Sequence, residues 1–386
     1  MTMITTDEEF DVVVVGAGIV GLAHAYHAQQ RGLSVAVVDH ADGVAGASVR
    51  NFGHACITAQ SEAALTYARA GREHWLALSA QAGFWSAEAG TTAIARHDDE
   101  LAVMHEFAEH RGPGEVRMLS RGDILGRVPA DQRGVVGGMY LPNDLQVDPR
   151  NAAPAIARRL EAVGVRFYWR TAATSFETGL VRTSRGELRA ATTFITVNHD
   201  IDRLFPEVAE DVDLRRCALH MIKASVPLRF PLATPLFTGW SLLRYSGFET
   251  LPSTAAVAER LHNTYPDHAA IDLHQMYTPQ ADGTLLIGDT HIREVTTSPF
   301  ESEEGFRILI DVTKELFDVP RIDVIERWQG VYATAPGREF LRREPLPGTH
   351  IVTVTTGIGM TTGLGLALDS VTSALSSASA GPLVPS

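Results

Sequence analysis

The residues whose spacing first suggests chemistry are Gly16, Gly18 and Gly21, in the stretch DVVVVGAGIVG at residues 11–21. With Ile19 and Val20 between them, they keep the Gly-x-Gly-x-x-Gly pattern. Such a loop holds the pyrophosphate of a dinucleotide. The first glycine permits a tight turn, the second lets phosphate approach the backbone, and the third lets a helix pack close to its strand. Asp39, followed by His40, lies 18 residues past Gly21, where a carboxylate accepts hydrogen bonds from a ribose diol. The ligand implied is an ADP group. The motif alone does not separate a nicotinamide from a flavin dinucleotide.

The surrounding elements fit this reading. DVVVV is β-branched and uniformly apolar, as a strand buried on both faces should be. Ile19, Leu22, Ala23 and Tyr26 share one face of a helix that Gly32 ends, and SVAVVD forms a second strand ending at Asp39. A complete βαβ unit is therefore expected. The next stretch, SVRNFGHACITAQ at residues 48–60, has neither helical nor strand periodicity.

The chain has 386 residues, enough for two domains or one composite domain. Its 45% apolar and 20% charged content is ordinary for a soluble globular protein. The net charge of −13 argues against nucleic acid as a partner, while a small anionic ligand needs only a few local cations. Cys56 and Cys217 lack metal-ligand spacing, so no metal site and a reduced, cytoplasmic setting are expected. No apolar run is long enough to span a bilayer. The start, MTMITTDEEF, lacks the layout of a signal peptide; Met1–Thr6 resembles the leader of common cloning vectors and is left out of the fold reading.

Beyond residue 85 the strand–helix alternation of a nicotinamide dehydrogenase is missing. Residues 85–145 and 220–325 read as strand-rich and irregular, and parallel-type segments return at 148–200 and 350–375. Here the chain resembles the D-amino-acid oxidase/glycine oxidase family of FAD-dependent amine oxidoreductases. The N-terminal fingerprint carries the likeness together with LQVDPRNAAPAIARRLEAVGVRFYWRTAATSF (145–176), RWQGVYATAPG (327–337) and TTGIGMTTGLGLA (355–367). In the second of these, Asp148-Pro149 opens a helix and a short strand follows Gly164.

The resemblance implies an α/β fold, α+β overall: a Rossmann-like FAD domain interleaved with a mixed-sheet substrate domain, as in glycine oxidase. The expected divisions are 7–84, 146–219 and 326–380 for the FAD domain, and 85–145 with 220–325 for the substrate domain. It also implies that Gly357, Gly359, Met360, Thr361 and Thr362 approach the flavin ring and ribityl chain, where free N–H groups before a helix stabilise negative charge. Ala172 and Ala173 would lie near the adenine. Ser48 and Arg50 would meet phosphate, and Asn51, Phe52 and Gly53 would pass beneath the ring, with His54 and Gln60 following near the ring or pocket. Gly330 belongs to the tryptophan–glycine motif beside the flavin. Some members attach the flavin through a cysteine after that motif; none stands here, so FAD is expected to bind non-covalently. Cys56 reads as inert packing.

The family chemistry is oxidation of a C–H bond next to an amine, with hydride passing to flavin N5 and water hydrolysing the imine. No strong acid–base residue is required. Amino-acid-oxidising members place an arginine just past the tryptophan–glycine pair; Tyr332 stands there in this chain. RNFG, RWQGVY, LLRYSGF and LLIGDTH…SPFESEE resemble instead a subgroup associated with aminophosphonate breakdown. The implied substrate is 2-aminoethylphosphonate or its N-methyl form.

A phosphonate needs several donors, preferably cationic. Candidates are Lys223, Arg244, Tyr245 and His291, with Tyr332 and His54 from the flavin side and Arg338 as a weaker anchor. LLRYSGF, residues 242–248, alternates like a strand, so Arg244 and Tyr245 are expected on opposite faces, Tyr245 toward the pocket. The partners expected are a small anionic amine and oxygen or another electron acceptor. Two alternatives stand beside this: the same chemistry on glycine, sarcosine or a D-amino acid, and an FAD-dependent hydroxylase using NADPH. The Gly-Asp pair in LLIGDTH (285–291) resembles a motif of such hydroxylases but reads here as a strand of the second domain.

Overall fold

The computed structural model describes residues 9–379. Met1–Thr6, residues 7 and 8 at the expected start of the FAD domain, and residue 380 at its expected end lie outside the described residues.

The valine run forms strand β1 (Glu9–Val15), helix α1 spans Ile19–Gln29, and strand β2 spans Val35–Val38. β1 lies between β2 and the strand Gly186–Ile195, parallel to both, with Val15 level with Val38 and with Ile195. The strands Arg166–Tyr168 and Thr349–Val354 extend this parallel core on either side. Both faces are covered, so Val12–Val15 are all buried. Each such side chain contributes about 1.5–3 kcal/mol relative to an exposed one. The helix Pro149–Ala162 begins as the sequence predicts, with Asp148 accepting from the N–H groups of Arg150 and Asn151.

The long helix Gly359–Ser379 packs on α1, and a second long helix, Glu62–Ala82, packs on it in turn. They touch backbone to backbone: a β-carbon at Gly365 would sit 2.1 Å from the Tyr67 carbonyl oxygen. The small residues of TTGLGLA therefore fix how deeply the last helix seats. Its seating sets the height of Met360, whose carbonyl accepts from Trp75 Nε1 at 2.8 Å.

The second sheet is mixed and nine-stranded. Its spine is Arg215–Ser225, paired along its whole length with Asp323–Thr334, which carries the tryptophan–glycine motif. On its other edge lie Leu285–Gly288 and Ile292–Glu294. The expected boundaries at 219/220 and 325/326 fall inside these two long strands, because their pairing continues straight through both points. A small three-stranded sheet, His54–Ala55, Leu145–Val147 and Ser86–Ala87, joins the two regions.

Residues 242–248 do not form the expected strand. Gly239–Leu243 is a 3₁₀ turn and Ser246–Glu249 a single helical turn. The Thr238 side chain and Ser241 cap the first turn reciprocally, and Gly247 presses on the Ala59 carbonyl, leaving no room for an extended run. Among the described residues, no helix is long and apolar enough to cross a membrane, and no group of three or more His, Cys, Asp or Glu is arranged to hold a metal ion.

Candidate active site

A cavity of about 740 Å³ runs from the glycine turn after β1 to the face of the second sheet. At the near end Gly16 has φ +102°, and a β-carbon there would lie 2.8 Å from the Thr196 carbonyl oxygen. Gly21 has no room either: its β-carbon would fall 1.9 Å from the Gly16 oxygen. Asp39 braces the turn, accepting from Ala17 N–H at 2.7 Å and Ala41 N–H at 2.9 Å. Ser48 Oγ accepts from Ile19 N–H at 2.8 Å. The N–H groups of Gly18 and Val20 find no partner among the described residues, and both residues line the cavity. Donors left open at a helix N-terminus are the groups that hold a pyrophosphate.

Asp39 and His40 line this end, as do Ala172 and Ala173. Ser48, Arg50, Asn51 and Phe52 line the passage toward the second sheet, where a β-carbon on Gly330 would be crowded, 3.1 Å from Leu219 Cδ1 and 3.2 Å from the Arg50 carbonyl oxygen. Gly357, at φ +76°, faces the Tyr332 ring, which a β-carbon would meet at 2.8 Å. A β-carbon on Gly359 would meet no atom within 4 Å and would project into open cavity. This backbone-walled passage fits a flat ring system and its linker.

Several sequence candidates lie elsewhere. Thr361 and Thr362 do not line the cavity: both N–H groups return to the Ile358 carbonyl, at 3.0 and 2.9 Å, and the Thr361 hydroxyl accepts from Cys56 N–H at 3.2 Å. Gly53 is also off the cavity, where its φ of +68° lets the chain pass the Val147 carbonyl. His54 is a buried structural histidine: Nε2 bonds Thr91 Oγ1 at 2.7 Å, and that hydroxyl donates to the fully buried Asp144 at 2.7 Å. Gln60 donates to the Cys56 carbonyl. Lys223 pairs with Asp282 at 2.7 Å on the outer side of its strand, and Arg338 is exposed; neither lines the cavity. Burial pushes the Cys56 thiol up to about 12 and Cys217 up to about 11, so neither is a thiolate.

The far end gathers charge from separated segments. Arg244 and Tyr245 both line it, because the bend between their two short turns aims them to the same side. Arg244 Nε donates to His291 Nε2 at 3.2 Å, and Nη2 donates to Tyr332 Oη at 3.0 Å and the Thr356 carbonyl at 2.6 Å. Its Nη1 has no hydrogen-bond partner among the described residues. Arginine only donates and a carbonyl only accepts. His291 is thus the tautomer with Nδ1–H toward the Asp272 carbonyl, 2.9 Å away, and a lone pair on Nε2. Burial, aided by Arg244, lowers its pKa to about 4, so it is neutral near pH 7. Two residues absent from the sequence candidates complete the group. Asp289 and His274 are buried, line the cavity, and lie 3.1 Å apart between Oδ1 and Nδ1. The one signal for Asp289 was its place in LLIGDTH, directly after a buried strand.

A Rossmann-type turn opening into a cavity roofed by a second, mixed sheet defines a two-domain flavoprotein fold of the glycine oxidase type. Residues 11–369 match the family model described as FAD dependent oxidoreductase (DAO), and the chain belongs to that family; FAD is its cofactor. Solved structures agree on the fold. Glycine oxidase from Geobacillus kaustophilus aligns with a TM-score of 0.75 at 20% identity, over 94% of this chain and 93% of that one. L-proline dehydrogenase from P. horikoshii gives 0.76 at 17%, over 93% and 91%. The FAD-bound L-alpha-glycerophosphate oxidase from Mycoplasma pneumoniae gives 0.73 at 19%, over 96% and 94%. No curated protein sequence matches the chain significantly.

Proposed function

We propose that the protein oxidises the C–H bond beside nitrogen in a small amine bearing an anionic head group, with an aminoalkylphosphonate such as 2-aminoethylphosphonate or its N-methyl form as the favoured substrate. The observation that carries this reading is Arg244: a guanidinium lining the cavity with one nitrogen unspent. Its other donors are committed to His291, Tyr332 and Thr356, which hold the guanidinium in place before substrate arrives. Neutral His291 accepts from Arg244 without adding a competing charge. The Tyr332 hydroxyl offers the head group a second contact.

Bound FAD supplies the hydride acceptor. The chain orients the amine, encloses it, and fixes its anionic end. The parallel sheet with its helices holds the cofactor, and the mixed sheet covers the substrate. Both cysteines lie off the cavity, which supports non-covalent FAD, and both are free and buried, in keeping with a reducing cytoplasmic setting. The structures of similar fold named above include an enzyme titled glycine oxidase and one titled proline dehydrogenase, which is compatible with amine chemistry. A carboxylate also forks onto an arginine, so glycine, sarcosine or a D-amino acid is the second reading. A hydroxylase is disfavoured: its Gly-Asp pair lies here at the end of a mixed-sheet strand.

The test is a substrate panel of 2-aminoethylphosphonate, its N-methyl form, glycine, sarcosine and D-alanine, with carbonyl product measured. The reading expects the highest kcat/KM for a phosphonate. A carboxylate substrate ahead of both would move the assignment to amino acids, and no turnover with any amine would remove it.

A further inference from the structure

We infer that Asp289 is the residue that recognises the substrate's nitrogen, its Oδ2 accepting an N–H from the amine or ammonium while Arg244 takes the anionic end. The inference rests on the amine reading above and adds the group that selects for the positive charge.

Asp289 is only 5% exposed, yet it lines the cavity. Its backbone is locked to His274 in both directions: His274 N–H donates to the Asp289 carbonyl at 2.8 Å, and Asp289 N–H to the His274 carbonyl at 2.6 Å. Oδ1 takes the Nδ1–H of His274 at 3.1 Å. Oδ2 is different. His291 Nε2 lies 3.7 Å from it, and that atom's lone pair is already occupied in accepting from Arg244. Oδ2 therefore has no donor among the described residues, and it is not sealed from the cavity as orphaned buried atoms elsewhere in the molecule are.

Burial raises the pKa of Asp289, but the groups around it, among them the His274 Nδ1–H and the Arg244 guanidinium, lower it by more, so it is held as an anion. A buried carboxylate with an unused oxygen is costly unless a cation or donor meets it. No Lys or Arg nitrogen among the described residues comes within ion-pair distance of it. Arg244 and Asp289 flank the same edge of His291, at 3.2 and 3.7 Å from Nε2. A fixed positive and a fixed negative group one imidazole edge apart complement a short zwitterion, with its charges reversed.

The test separates binding from turnover by using amines with no hydrogen on the carbon beside nitrogen. 2-Amino-2-methylpropylphosphonate is compared with 2-methylpropylphosphonate, which lacks the amine, by perturbation of the flavin's visible spectrum in the holoenzyme. The wild type is expected to prefer the amine by roughly 10–100-fold, the range of a hydrogen bond to a charged group. Asp289→Asn is expected to erase that preference while binding the amine-free ligand as well as before. An unchanged preference in the variant, or none in the wild type, overturns the assignment. Should Asp289→Asn fail to retain FAD, Asp289→Ser is measured in its place, with the same two outcomes. Failure of oxidisable amines to reduce the flavin would refute amine oxidation and leave this binding result standing by itself.

Discussion

The two ends of the cavity are built from different materials. The nucleotide end is made of backbone. Gly16 and Gly21 there admit no side chain, with clearances as low as 1.9 Å, and its donors are main-chain N–H groups at a helix start. The end proposed for substrate is made of side chains: Arg244, His291 and Tyr332 arrive from separate turns and strands and meet through hydrogen bonds, with Asp289 3.7 Å from His291. A backbone site fails by steric collision, taking the fold with it. A side-chain site fails by losing charge or a donor, leaving the fold in place.

That contrast can be broken by substitution. The largest effect is expected at Gly21→Ala, whose new methyl would overlap the Gly16 carbonyl. The strain exceeds the about 1–3 kcal/mol of ordinary overpacking. The flavin-to-protein ratio and Tm should both collapse; wild-type flavin content would contradict a backbone-limited site. Next comes acid sensitivity. Burial lowers His24 and His291 to about 4 and His27 to about 3, against an ordinary value near 6.5. Below 6.5 the unfolded chain protonates these rings while the folded chain keeps them neutral. Stability therefore falls as pH drops from 6.5 toward 4, by up to about 1.4 kcal/mol per pH unit for each ring. Urea midpoints across this range measure it, and His291→Gln should remove only its own share.

Arg244→Ala should leave flavin content intact and lower kcat/KM by roughly 30-fold or more, from the about 2–5 kcal/mol lost when one member of a buried charge contact is removed. Loss of flavin in this variant would erase the distinction between the two ends. Tyr332→Phe should cost about 1 kcal/mol, or roughly fivefold in substrate binding, again with flavin retained. Unchanged kinetics would take Tyr332 out of the site. Smallest is Lys223→Ala, which breaks a partly exposed pair and should change stability by less than about 1 kcal/mol and kinetics not at all.

The same contrast explains what the sequence revealed. Gly16, Gly18, Gly21 and Asp39 keep a fixed spacing within one βαβ unit, so the pattern announces them. His54 resembled a pocket residue because it follows the phosphate segment, but its partners Thr91 and Asp144 come from a distant strand and a distant turn that no local pattern reports. Tyr245 and Arg244 were separated by assuming a strand, when a capping pair at Thr238 and Ser241 coils the chain there. Lys223 had the right charge, but Asp282 already holds it. Asp289 and His274 were missed since each becomes notable only beside the other.

The most direct measurement of the central claim is anaerobic mixing of the yellow holoenzyme with 2-aminoethylphosphonate or its N-methyl form, in the absence of NADPH, while following the flavin's visible absorbance. The account predicts bleaching by the amine alone, fast in the wild type and strongly slowed in Arg244→Ala. Absorbance that stays unchanged with every amine, and falls only when NADPH is added, would contradict it.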